Sequence, residues 1–167
     1  MINNDILRSI RYALDLHDSS IVAFCKLGGL TLEPSSVTAL LKKEEEEGFL
    51  TCTDLVMGAF LDGLILQKRG KKENDTEQVT ATSHLTNNVI LKKLRIALEL
   101  QEDTLLAILE KTDTGITRAR LSALFRKEGH KNYKECGDQF LRNFLKGLAL
   151  HLRAQRGKSK PAGQQSP

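Results

Sequence analysis

Residues 3–16 read NNDILRSIRYALDL and residues 87–100 read NNVILKKLRIALEL. The likeness does not stop there. Residues 3–69 lie on residues 87–153 without a gap, with roughly 20 identities, which marks an internal duplication. Pairs such as Asn3/Asn87, Asn4/Asn88, Arg11/Arg95, Cys52/Cys136, Asp54/Asp138, Phe60/Phe144 and Gly63/Gly147 recur along its whole length. The second stretch is therefore the opening helix of a second copy.

Each copy reads as four helices. Ile6, Leu7, Ile10, Ala13 and Leu14 share one arc of a helical wheel, and Asn3 or Asn4 is placed to cap the free amides. Asp18 or Ser19 opens a shorter helix through Ile21, Val22, Phe24 and Cys25, which GGLTLEP ends before Pro34 starts the third. The third turns Val37, Leu40 and Leu41 inward and runs out into KKEEEEG. The fourth begins near Asp54 and buries Val56, Met57, Phe60, Leu61 and Leu64. No long strand-like alternation appears. The expected architecture is all-α: a first repeat over 1–70, a polar linker over 71–86, a second repeat over 87–153 packed against the first or joined to it flexibly, and a basic, disordered tail over 154–167.

The stretches NNDILRSIRYAL, KKEEEEGF, NNVILKKLRIAL and HKNYKECGDQFLRNFLKGL resemble the bacterial YehS-like family, a duplicated domain of unknown function. The resemblance spans nearly everything except the C-terminal tail. It brings no catalytic or binding residue to these positions, so each must be read from its own chemistry.

Hydrophobic residues make up 40% of the chain and charged residues 28%, which is globular usage, and no apolar run approaches the roughly 20 residues of a membrane span. The N-terminal stretch lacks the pattern of an export signal, and Cys25, Cys52 and Cys136 are too few and too scattered for a disulfide framework. A reducing cytoplasm is the expected compartment.

Polar residues retained by both copies call for an explanation in fold or function. Arg11/Arg95 lies about 40° beyond the apolar arc, so its stem can cover core surface while the guanidinium seeks a carboxylate. Asp15/Glu99, one turn on, is one partner. Asp54/Asp138 is the other, through a clamp between helices. Gly63/Gly147 stands inside a helix at a cost of up to about 1 kcal/mol, and close approach of another backbone is the plain reason. Arg11, Arg95, Asp54, Asp138, Gly63 and Gly147 are expected to be structural.

Chemistry of the protein's own is not expected. Cys52/Cys136 is the candidate nucleophile and His130 precedes Cys136, yet Glu46 stands at the histidine's place in the first copy, and cysteine also packs as a small hydrophobe. The four histidines show no ligand spacing with the cysteines, KLGGLTLEP lacks the Lys-Ser/Thr ending of a phosphate loop, and the KKEEEEG carboxylates read as a solvated surface. Neither metal nor cofactor is implied.

Charge separates the copies. Residues 1–70 carry seven basic and ten acidic side chains, while residues 87–153 carry thirteen and eight. The leading functional reading is a binding module whose basic second repeat meets an anionic partner, RNA or DNA among them, through Lys92, Lys93, Arg118, Arg120, Arg126, Lys127 and Lys131, with Arg95 and Lys134 beside them. Arg120 and Lys127, seven apart, would share a face of the third helix. The alternative is a protein adaptor using a groove between the repeats, or self-association through opposite charges. A cysteine-dependent enzyme is the remote third reading.

Overall fold

Apolar residues at helical spacing, broken by Gly, Pro and left-handed turns, give eight helices among the described residues. The computed structural model describes residues 1–70 and 84–159. In the first repeat α1 spans Asn3–Leu14, α2 Asp18–Leu27, α3 Pro34–Leu40 and α4 Asp54–Arg69. In the second, α5 spans Asn87–Leu98, α6 Glu102–Glu110, α7 Arg118–Leu124 and α8 Asp138–Ser159. No strand occurs among the described residues. Asp15 and its counterpart Glu99 end α1 and α5 in the left-handed conformation, at φ 54° and 53°.

The paired asparagines do not cap their helices. Ile2 stands at the cap of α1 with an extended backbone and no side-chain bond, and Thr86 caps α5 by accepting from the Val89 amide. Asn4, fully buried, instead donates to Leu40 O at 2.9 Å and Leu50 O at 2.8 Å and accepts from the Cys52 amide at 2.9 Å. Asn88 repeats this with Leu124 O, Lys134 O and the Cys136 amide, at 3.0, 2.9 and 2.8 Å. One side chain thus closes three main-chain groups that the irregular stretch between the third and fourth helices would leave unpaired, each worth about 1–3 kcal/mol if orphaned in the interior.

Glycine allows the fourth helix to lie directly on the second. A Cβ built on Gly63 would stand 1.6 Å from Phe24 O, and one on Gly147 would stand 2.3 Å from Ile108 O. Neither position has room for a side chain.

The two repeats share one hydrophobic core, which runs from Ile6 through Phe60 to Phe144 and Leu148. They meet along two seams. The opening helix of each repeat packs mainly on the long helix of the other, α1 on α8 and α5 on α4. Asp54 and Asp138 lock these seams in the same way. Asp54 accepts from Asn3 Nδ2 of its own repeat at 2.8 Å and from the Leu85 amide at 3.1 Å, just ahead of α5. Asp138 accepts from Asn87 Nδ2 at 2.8 Å and from the α-amino group of Met1 at 2.9 Å, just ahead of α1.

Several expectations need correction here. The Arg11/Arg95 to Asp54/Asp138 clamp is absent: Arg11 Nε meets Asp18 Oδ1 at 3.2 Å, while Arg95 donates to Leu100 O at 3.3 Å and lies 4.5 Å over the Phe125 ring. The carboxylates are already taken by Asn3 and the Leu85 amide, and by Asn87 and the Met1 α-amino group. The third helix stops at Leu40, and Lys42 to Gly48 form turns in place of a helix end. Leu85, assigned to the linker, is buried in the core, and Thr86 caps α5. The tail's first residues, 154–159, continue α8; the rest of the linker and tail expectation falls on 71–83 and 160–167, outside the described residues.

Candidate functional site

Two of the basic residues singled out from sequence are engaged by acids. Lys93 is withdrawn altogether: only 15% exposed, it pairs with Asp62 across the α4/α5 seam, where Asp62 is 12% exposed. Arg118 is held by Asp103 at 2.7 Å and by Glu102 at 3.6 Å. Arg120 and Lys127 do not share a helical face, because α7 ends at Leu124 and Lys127 lies in the turns beyond it. Lys92, Arg120, Arg126, Lys127, Lys131 and Lys134 are exposed, on α5, on α7 and along the 125–135 turns.

A different set of cations converges at the α1/α8 seam. A groove of about 590 Å³ opens there, with Leu145, Ala149 and Leu150 of α8 as an apolar floor and wall. Arg142, Lys146 and Arg153 rise from the same helix, and Arg8, Asp5, Ser9, Tyr12 and Met1 face them from the other repeat. The spacing 142, 146, 149, 150, 153 follows the helical period, so α8 presents these residues along one face over about 16 Å of its axis. Tyr12 is 55% exposed and stacks under Arg153, whose guanidinium lies 3.9 Å from the ring centre. Leu150 is 45% exposed.

The electrostatics of the groove are one-sided. Its single carboxylate, Asp5, is bonded to Arg8, which also donates to Lys42 O at 2.8 Å. Arg142 donates to Gln139 Oε1 at 2.9 Å, and its charge also acts on Asp138 at the start of α8. Lys146 is exposed and has no hydrogen-bond or ion-pair partner among the described residues. The helical spacing of Arg142, Lys146 and Arg153 was visible in the sequence, but nothing there indicated that the opening helix of the other repeat would lie beside them.

The thiols sit elsewhere, in the core. Cys25, Cys52 and Cys136 are buried, and burial pushes them up to about 11, about 12 and about 12, so each carries its proton at neutral pH. His130 is exposed and accepts from the Asn132 amide at 3.0 Å, and no hydrogen bond joins it to Cys136. Among the described residues no group of three His, Cys, Asp or Glu side chains is placed to hold a metal ion, and no helix is long and apolar enough to cross a membrane.

Fold and groove together define a duplicated all-helical protein in which two four-helix repeats exchange their opening helices across two seams. The chain belongs to the family described as protein of unknown function (DUF1456), whose pattern matches twice, over residues 3–70 and 87–154. It is 43% identical over 157 residues to the uncharacterised protein YehS of Escherichia coli (strain K12), covering 94% of this chain and all of that protein. No solved structure matches it.

Proposed function

We propose that this protein is a non-catalytic binding module for an anionic partner and that the α1/α8 groove is its site. The observation that carries the reading is four cations, Arg8, Arg142, Lys146 and Arg153, around an apolar floor with one carboxylate that is already engaged. Uncompensated positive charge over a concave surface attracts anions and lowers the cost of taking their charge out of water. The second repeat supplies three of the four cations, and the site lies between the repeats. Arg120 and Lys127 have no part in it.

The test is binding of labelled single-stranded RNA, single-stranded DNA and polyglutamate at rising salt. Binding that weakens with salt, is lost in Arg142→Glu/Lys146→Glu and persists in Arg120→Glu/Lys127→Glu supports the groove. Absence of binding to all three at low salt overturns a polymeric anion as the partner, and binding that the first pair of changes leaves intact overturns the groove as its site.

A further inference from the structure

The two seams are built on equivalent positions, so the closed one shows what the open one lacks. At α4/α5, Ile65 packs against the core and Asp62 meets Lys93. At α1/α8 the counterparts are Ala149 for Ile65, Lys146 for Asp62 and Ser9 for Lys93. Tyr12, more open to solvent, replaces half-buried Ile96. At the open seam Ala149 is therefore smaller than Ile65, and the Asp62–Lys93 pair is replaced by Lys146 and Ser9, which leaves Lys146 with no acid to meet.

From this we infer that the groove takes a small amphipathic acid: an apolar acyl or aryl body lying on Leu145, Ala149 and Leu150, with its carboxylate between Lys146 and Arg142. The inference rests on the anionic-partner reading and gives that partner a chemical class. The volume of about 590 Å³ is the size of a small-molecule site. The apolar floor accounts for a body that a nucleic-acid backbone would not need, and the Tyr12–Arg153 stack supplies a flat wall for it. Charge complementarity selects the head group, since Lys146 gains the partner that Asp62 provides to Lys93 at the other seam.

Decanoate, decanol and inorganic phosphate titrated calorimetrically into the full chain test this directly. Decanoate is expected to saturate one site, with decanol weaker by about tenfold, the equivalent of one charge-assisted hydrogen bond, and phosphate weaker still. Lys146→Gln should weaken decanoate by a similar factor while leaving the melting temperature unchanged. The triple change Ser9→Lys/Lys146→Asp/Ala149→Ile copies the closed seam into the open one and should abolish binding in a chain that still melts cooperatively. Equal binding of decanol, or unaltered decanoate binding in Lys146→Gln, overturns the inference, whatever the triple variant does. Polyanion binding lost in Arg142→Glu/Lys146→Glu without any decanoate binding overturns it while leaving the proposed function in place. Failure of decanoate and polyanions alike removes both.

Discussion

The α4/α5 seam and the α1/α8 seam have the same frame and opposite surfaces. Both are locked by an aspartate at the start of a long helix, and both set an opening helix of one repeat on the long helix of the other. At the first, Lys93 and Asp62 meet with little exposure, and at the second Lys146 stands unpaired beside a groove. A duplication holds the backbone arrangement through buried hydrogen bonds, so a few exposed-edge side chains can change without threatening it. One seam can remain structural while the other is free to bind.

The largest expected effects test whether the shared frame is equally strict in both repeats. Gly63→Ala should destabilise by about 3 kcal/mol or more, because its methyl would meet the Phe24 backbone, which cannot step aside without separating α2 from α4. Gly147→Ala should cost less, since the approach there is wider. Thermal unfolding of the two variants checks the order, and a reversed order would break the comparison.

Asn4→Ala and Asn88→Ala should each cost about 2–4 kcal/mol, and by similar amounts, because each leaves a buried amide and two carbonyls short of a partner. Denaturant unfolding measures both. A harmless Asn88→Ala would mean that the second repeat no longer depends on the motif it shares with the first.

At the seams themselves the contrast should be sharp. Lys93→Gln strands the shielded Asp62 carboxylate and should destabilise by about 2 kcal/mol, somewhat below the range for a fully buried pair. Lys146→Gln, at the exposed end of the same comparison, should leave stability within about 0.5 kcal/mol. If Lys93→Gln proves equally silent, the two seams differ in appearance but not in energetics.

The smallest effect is on acid stability. The Asn3 side chain and then the Leu85 amide hold Asp54 below the usual carboxylate range, and the Met1 amine and Asn87 do the same for Asp138. A carboxylate depressed in the folded state adds stability that is complete above its unfolded pKa, near about 3.9, and is lost as pH falls through the folded value. Asp54→Asn and Asp138→Asn should therefore flatten the fall of melting temperature below about pH 4 and leave its shape near neutrality unchanged. A curve as steep as that of the unaltered chain would show that other carboxylates govern the acid limb.

The sequence by itself determined the helical class, the duplication and the residues of each core face, because 3.6-residue periodicity and self-similarity are properties of one chain read along its length. It marked Asn4/Asn88, Asp54/Asp138 and Gly63/Gly147 as paired, and for the glycines it also supplied the reason. It misassigned the partners of the asparagines and aspartates, since an asparagine at a helix start can serve the local amides or carbonyls 36 and 46 residues away, and periodicity does not distinguish the two. Charge counting by segment favoured the second repeat but pointed to Lys93 and Arg118, whose acids come from α4 and α6. Only the tertiary structure decided that the opening helices cross to the opposite repeat, because that choice is made by the packing of two faces that the chain brings together from far apart. That crossing sets α1 of the acidic repeat beside α8 of the basic one, and the groove exists only where they meet.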